Sequence, residues 1–482
     1  MKTYAIYING QWINGVENRT ICSPYDGKPF AQVQWAGEEQ VESALQSANK
    51  ASEIGRSAKT YQRSQWLERF RDGLIKRHSE MTKTISEEAG KPLSVTRIEV
   101  DRGINTFDLA SKLALTRSEE HYPLDIIKYG ENYHCLSKRF PVGPVLAITP
   151  YNWPLNLGAH KLAPALAVGC PVIMRPASQT PCSSLLLAEI AEEAELPPGM
   201  FNVVPCRVPL AERMVLDDRV KMISFTGSPE VGWALKQKAF NKRVALELGG
   251  NAACILEPDT DLDFAIPRLA VGCFAYAGQI CISVQRLLVH ETIREEFDQR
   301  MLNHLAKEFK TGNPREEGVL CGPLIDVDSA DKVMEWIEEA RLDGARVLCG
   351  GKFLAKNMIE PTLLDNVKHT MRISCQEVFG PVATIETYSD FDQALQIAND
   401  SKYGINCGVF TNDTRKAFKA FDKLEVGCVV INDYPTFRID RMPYGGVKQS
   451  GFGREGVQYT MEEMTEIKGL VLNLNSYEPL KP

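Results

Sequence analysis

The chain is poor in the features that settle a function at sight. Its seven histidines fall at no H-x-x-x-H or similar spacing, so no metal site is expected. Thirteen cysteines lie singly from Cys22 to Cys428 with no C-x-x-C pair, which implies a reducing compartment rather than a disulfide framework. Basic charge is not in excess: the formal net charge of −7 removes the electrostatic case for nucleic acid or an anionic membrane as partner. The strongly apolar stretch from Val142 to Met174 is interrupted by Asn152, Asn156, His160, Lys161 and several prolines before it reaches a spanning length, and reads as buried core. An apolar leader is missing from the opening MKTYAIYINGQWING, which reads as two short strands joined by Asn-Gly turns; a cytoplasmic protein is expected. The G-x-G-x-x-G fingerprint is absent too, as are internal repeats and low-complexity linkers.

What is present is ample core material. A chain of 482 residues that is 44% hydrophobic exceeds what one core organises, so two or three domains are expected. Apolar residues at three- and four-residue spacing predict helices over 38–52, 60–89 and 92–115. The rhythm then changes to short β-rich runs, PVGPVLAIT, GCPVIMRP, GMFNVVP and VKMISFTGS, with helical stretches such as 184–196 between them, as in a doubly wound parallel sheet. A second such series follows Gly250, with VQRLLVHE, ARVLCGG, VATIETY and GCVVIND as strands and 293–309, 330–342 and 391–400 as helices. Residues 121–140 alternate like a hairpin around Gly130, Glu131 and Asn132, with polar residues on both faces, and project from the body.

Several short stretches carry chemistry. In ISFTGSPEVG a strand meets a helix whose N-cap is Ser228 and whose first residue is Pro229; free amides there suit a phosphate, and Gly227 and Gly232 allow close approach. Taken alone, this is also an ordinary capped turn. Arg175, at a strand end before Pro176, could face a ribose or phosphate at the carboxyl edge of the sheet, or simply solvent. Glu377 and Phe379, beside a Gly-Pro turn, offer a carboxylate for ribose hydroxyls. Asn152 is wedged between Tyr151 and Trp153 and ahead of Pro154, a crowding that no simple turn requires.

Together these stretches resemble the aldehyde dehydrogenase superfamily over nearly the whole chain. ITPYNWPLN, MRPASQTP, FTGSPEVG, LELGGN, FAYAGQIC, QEVFGPV and MPYGGVKQSGFGREG stand in the family's order and at its distances. The closing segment is most similar to the branch holding lactaldehyde, phosphonoacetaldehyde and non-phosphorylating glyceraldehyde-3-phosphate dehydrogenases. The resemblance implies two doubly wound α/β domains: a dinucleotide-binding domain from 1–120 and 141–248, a catalytic domain from 249–446, and oligomerisation segments at 121–140 and 447–482. It assigns Cys281 as nucleophile, Asn152 as oxyanion donor and Glu247 as the base for thioester hydrolysis. A free thiol titrates near about 8.5, so Cys281 calls for a helix N-terminus or a nearby positive dipole. Burial of Glu247 would lift its carboxyl toward neutrality, as a base requires. The cofactor, NAD or NADP, is expected on Thr149, Pro150, Trp153, Arg175, Ser178, Phe225, Gly227, Ser228, Gly232, Leu248, Gly249, Glu377 and Phe379, and the aldehyde near Tyr151, Ile280, Ile282, Arg102, Arg438 and Arg441.

Departures from the family sharpen the reading. Arg175 replaces the usual Lys, and Ser178 the Glu of many NAD-preferring members, which opens the site to NADP. Cys206 stands where a glycine commonly follows NVVP. Ile280 stands where relatives using phosphorylated or phosphonate aldehydes often carry Arg, and Trp153 replaces a polar residue. The expected substrate is a small polar or anionic aldehyde, oxidised to its carboxylate. Transfer of the acyl group to coenzyme A, disfavoured by the presence of Glu247, and a non-catalytic binding role on the same fold remain the alternatives. The strand GLVLNL would be an aggregation hazard without a partner, so a homodimer or homotetramer is expected.

Overall fold

The computed structural model describes residues 1–116 and 119–474. Two large sheets dominate it. The first orders its strands Gly451–Phe452, Arg243–Glu247, Met222–Thr226, Val145–Ile148, Val172–Arg175, Phe201–Val203, Ile6–Ile8 and Gln11–Ile13. The five from Arg243–Glu247 to Phe201–Val203 are parallel, and the flanking strands pair antiparallel. Chain order runs outward in both directions from Val145–Ile148, so a switch point lies between it and Met222–Thr226. Loops leaving the carboxyl ends there, Thr149 to Trp153 and Gly227 to Ser228, therefore border one crevice.

The second sheet runs Arg346–Cys349, Thr362–Asp365, Val382–Tyr388, Val284–His290, Ala252–Leu256, Asn406–Phe410 and Cys428–Ile431, parallel except for its first strand. Both sheets are buried on both faces, which is why their strands read as apolar runs rather than alternations. The expected double α/β architecture is what the chain adopts.

The N-terminal hairpin turns at Asn9 and Gly10, both with positive φ (54° and 75°), as an Asn-Gly turn demands. The helix expected over 60–89 is two, Thr60–Lys76 and His78–Ala89, broken at Arg77. The hairpin expected around 130–132 pairs Glu120–Pro123 with Tyr133–Pro141 across a longer connection. Residues 447–482 were expected to serve oligomerisation as a block, and the structure divides them. Gly451–Phe452 joins the first sheet, and the helix Val457–Glu463 supplies Val457 and Met461 to the core beneath it. Only Thr465–Asn473 leaves the body, pairing with Tyr133–Pro141. The rest of that expected segment, 475–482, lies outside the described residues.

Candidate active site

The crevice between the sheets holds two cavities that meet at Asn152, Leu157 and Cys281. Each follows from how a few local sequences fold.

Cys281 is carried on a strained turn. The helix Leu262–Phe274 ends at Ala275, and Tyr276, Ala277 and Gly278 then take left-handed backbone angles in succession (φ 52°, 53° and 66°). Two non-glycine residues there cost of order 1–3 kcal/mol each, and persist only where the surroundings over-determine them. Those surroundings are visible: the Tyr276 amide donates to Leu320 O (2.7 Å) and its hydroxyl to Ala89 O (3.3 Å). At Gly278 a Cβ would run into the Gly380 carbonyl. Gln279, fully buried, ties the turn down: Nε2 donates to Tyr276 O (3.2 Å) and Pro323 O (3.3 Å), and Oε1 accepts from the Ile325 amide (3.0 Å). Its own carbonyl accepts from Asn152 Nδ2 at 2.9 Å, so the same residue that positions the Cys281 loop positions the asparagine. Asn152 Oδ1 accepts from the Trp153 amide at 3.0 Å, which fixes which end of the side chain is the donor.

No helix begins at Cys281; it sits in a turn closed by the Ser283 amide on Ile280 O, which removes the first of the two expected aids, a helix N-terminus, and leaves the second, a nearby positive dipole. The groups beside the sulfur are the Tyr444 hydroxyl, 3.0 Å from Sγ, and the Arg438 guanidinium. Burial pushes the thiol up to about 12; Glu377 and Glu247 add to that, while Tyr444 and Arg438 oppose it.

The cavity on the side of the first sheet, about 400 Å³, is lined by Thr149, Pro150, Tyr151, Arg175, Phe225, Gly227, Ser228, Leu248, Gly249, Glu377 and Phe379. Ser228 and Pro229 start the helix Pro229–Lys238 at its wall. A Cβ on Gly227 would meet the Phe225 ring at 2.6 Å, and one on Gly249 would collide with the Glu377 carboxylate. Burial lifts Glu377 to about 7, against a hydrogen bond from the Gly250 amide (3.0 Å). Arg175 Nη2 reaches Ser178 Oγ (3.4 Å) and Cys206 O (3.2 Å). Ser178 and Gly232 stand behind the wall rather than on it, Gly232 packed on Leu248 and Phe225.

The other cavity, about 280 Å³, is lined by Arg102, Trp153, Ile280, Ile282, Arg438 and Tyr444 among others. Tyr151 and Trp153 thus exchange their expected sides. Tyr151, expected near the aldehyde, faces the first cavity with its ring edge-on to Phe379 at 6.0 Å. Trp153, expected at the cofactor, faces the second, with Lys91 Nζ 3.3 Å above its ring and Arg102 at 5.5 Å. The chain turns at Trp153 into the helix Pro154–Val168, which throws the neighbours of Asn152 to opposite sides. Arg441 is exposed and lines neither cavity.

Behind the second cavity lies a buried ionic network that the sequence reading did not single out. Asp440 accepts from Arg102 Nη2 (2.7 Å), His160 Nε2 (2.8 Å) and Asn156 Nδ2 (3.4 Å). Although burial works the other way, His160 and Arg102 hold its carboxyl far below the usual range. Glu455 accepts from Lys161 Nζ at 2.8 Å and lies 3.5 Å from Arg438 Nη2, an ion-pair distance. Burial pushes Glu455 up, but Lys161, His160 and Arg438 bring it down to about 2. Glu247 ends its strand on the far side of Gly445, whose Cβ position is 3.0 Å from Oε1. It lines neither cavity, and Oε2 has no hydrogen-bond partner among the described residues. Burial, then the charge of Glu455, drive its carboxyl well above the ordinary range. Tyr444, Asp440 and Glu455 all fall in or beside the closing motif, and Gln279 in GQIC; a motif marks such residues only as a block.

Known proteins match this chain over nearly its whole length. A model of the aldehyde dehydrogenase family matches residues 12–470. A 3-sulfolactaldehyde dehydrogenase of Priestia aryabhattai is 39% identical over 475 residues, covering 98% of this chain and 99% of its own. The structure of aldehyde dehydrogenase 21 from Physcomitrella patens, in complex with the reaction product succinate, superposes with a TM-score of 0.96 at 40% identity over 99% of each chain. That of the glyceraldehyde-3-phosphate dehydrogenase GapN from Methanocaldococcus jannaschii, complexed with NADP, gives 0.90 at 37% identity over 94% of this chain and 98% of its own. The chain belongs to the aldehyde dehydrogenase family and oxidises an aldehyde with NAD or NADP as hydride acceptor.

Proposed function

We propose that the substrate is a short aldehyde carrying a single negative charge, a carboxylate or a sulfonate, converted to the corresponding acid without coenzyme A. The observation that carries this reading is Arg438: buried on the wall shared with Cys281, it makes no hydrogen bond among the described residues. A count of charge sets the valence. Arg102 is matched by Asp440 and Lys161 by Glu455, while burial and the charge of Glu455 disfavour the ionised form of Glu247. One positive charge, that of Arg438, remains for the cavity. A singly charged group completes it, whereas a dianion would bury an unmatched charge at a cost of several kcal/mol. The 3-sulfolactaldehyde dehydrogenase, and the aldehyde dehydrogenase 21 whose reaction product is succinate, the oxidised form of a singly charged aldehyde, are in keeping with a monoanionic substrate.

Cys281 attacks the carbonyl carbon as a thiolate. The oxygen's developing charge is met by the Cys281 amide and by Asn152 Nδ2, one of whose hydrogens is already held by Gln279 O, leaving the second preoriented. NAD or NADP, when bound, accepts the hydride that leaves this carbon. Its fit to the first cavity rests on the glycines that admit it, on Glu377, and on buried donors that lack partners among the described residues, Thr149 Oγ1, Thr226 Oγ1 and Arg175 Nε. Arg175 with Ser178, in place of a repelling carboxylate, favours acceptance of NADP alongside NAD. Glu247 then takes a proton from the water that hydrolyses the thioester, which requires its side chain to turn from Glu455 toward Cys281.

Among the described residues the strand Thr465–Asn473 lies at the edge of its sheet and exposes Ile467, Leu470, Val471 and Leu472, which supports pairing between subunits in a homodimer or homotetramer. Thirteen unpaired cysteines fit a reducing, cytoplasmic location.

The test is the rate of cofactor reduction with succinate semialdehyde and 3-sulfolactaldehyde (one charge), lactaldehyde (none) and glyceraldehyde-3-phosphate (two). The monoanions are expected to exceed the others in kcat/KM by roughly tenfold or more, and Arg438→Met to remove that preference. Equal rates for the neutral aldehyde, or a preference for the dianion, would overturn the charge assignment.

A further inference from the structure

We infer that the Tyr444 hydroxyl is the hydrogen-bond donor that stabilises the Cys281 thiolate, a positioning residue that takes the place of the helix dipole the nucleophile lacks. The inference rests on Cys281 being the nucleophile, and four observations carry it. Tyr444 Oη is 3.0 Å from Sγ, well inside the range for an O–H donor to sulfur. The ring has little freedom, since the Tyr444 amide donates to Glu455 O (2.9 Å) and the Glu455 amide donates back to Tyr444 O (2.7 Å). Its ring is buried in a small apolar cluster with Ile282 and Ile405, against which Ile280 and Cys281 pack. The Arg438 guanidinium lies 3.5 Å from the ring centroid; a cation on the face of a phenol draws electron density from it and strengthens its O–H as a donor.

The direction of the effect follows from which state the bond serves. Against a neutral thiol, either atom can donate, and the bond favours no protonation state strongly. Against a thiolate only the phenol can donate, and the bond becomes charge-assisted, so it lowers the energy of the ionised form alone. The thiol proton leaves to solvent and Tyr444 keeps its own, which burial and the neighbouring sulfur make still harder to remove. The other charged or ionisable groups facing the sulfur are Glu377 and Glu247, which oppose ionisation, and Arg438, which favours it. Among the described residues the Tyr444 hydroxyl is the group hydrogen-bonded to Sγ, and it offsets the burial that pushes the thiol up to about 12 without adding a charge to the site.

The experiment is alkylation of Cys281 by iodoacetamide across pH, read by mass spectrometry of its peptide, in the full-length protein and in Tyr444→Phe. Phenylalanine keeps the ring, the stack on Arg438 and the packing, and a matching thermal midpoint and cofactor affinity verify that the fold is kept. The variant is expected to titrate about one pH unit higher and to alkylate about tenfold more slowly on the acid side, with kcat/KM for the aldehyde falling by the same factor there and recovering as pH rises. Superimposable alkylation profiles would overturn the inference. If alkylation of Cys281 left aldehyde oxidation intact, it is the nucleophile assignment that would fall, so the two failures are told apart.

Discussion

At the scale of single residues, the site is governed by burial. Glu247 has no ion pair among the described residues and is lifted by desolvation and by Glu455, against the more distant Arg438, Lys161 and Arg454. A general base must be unprotonated, so turnover should rise with pH through the raised value of Glu247 rather than in the usual carboxylate range. Glu455→Gln removes the like charge and leaves Lys161 unmatched; both changes favour ionised Glu247, so the acid limb of kcat should move down by about one pH unit. A limb that stays in place would show that another group sets it. In Glu247→Gln, reduced cofactor should appear as a burst of about one per active site and then stop, since acylation remains and hydrolysis is lost; rapid-mixing absorbance distinguishes this from a uniformly slow enzyme. That Asn152 and Cys281 stand together, where the two cavities meet, was legible because motifs fix their positions in the chain. Which way Tyr151 and Trp153 face was not, because a turn into a helix, not an alternation, separates them. Tyr444 stayed hidden for another reason: its partner is 163 residues away, and an aromatic residue in a motif reads as packing.

At the scale of elements, buried carboxylates hold helix starts in place. Both helical N–H groups of Leu155 and Asn156 donate to Glu99 Oε1 (2.9 and 3.0 Å), and Lys91 Nζ donates to Glu99 Oε2 at 2.6 Å and to Asn152 O at 3.0 Å. Glu99 thus anchors the Pro154–Val168 helix and, through Lys91, the backbone of Asn152. Glu99→Ala orphans two amides and a buried ammonium, and should lower unfolding free energy by roughly 3–5 kcal/mol in denaturant titration. A surface-like loss below about 1 kcal/mol would mean that water replaces the carboxylate. Gly278→Ala adds a clash to a positive φ and should cost about 2 kcal/mol or more while abolishing activity. Most helices and strands were legible, since period 3.6 and apolar runs are local signals. The break at Arg77 was not: Phe70, Leu74, Met81 and Ile85 are all buried and keep the helical rhythm across it.

At the scale of the whole molecule, the chain closes the first sheet last. Gly451–Phe452 reaches back to Leu246 and Glu247, which is why 447–464 belongs to the body and could not be read as such: a two-residue strand carries no period. What then leaves the body is Thr465–Asn473, nine residues at the edge of a three-stranded sheet among the described residues. Ile467 and Val471 point to one face, and Leu470 and Leu472 to the other, all four more than a third exposed. A single free strand edge invites pairing with any similar strand; apolar residues on both faces make an uncovered state worse in two directions at once. Association of subunits through this strand would cover the sheet edge and both faces together. Light scattering should therefore give a mass that is a multiple of 53.8 kDa for the wild-type protein. In Leu470→Lys/Val471→Lys, which places one charge on each face, the mass should fall toward a single subunit at low micromolar concentration, with Cys281 alkylation unchanged because the strand is remote from both cavities. A wild-type monomer would remove the interface, and an oligomer that survives the double charge would move it elsewhere on the surface.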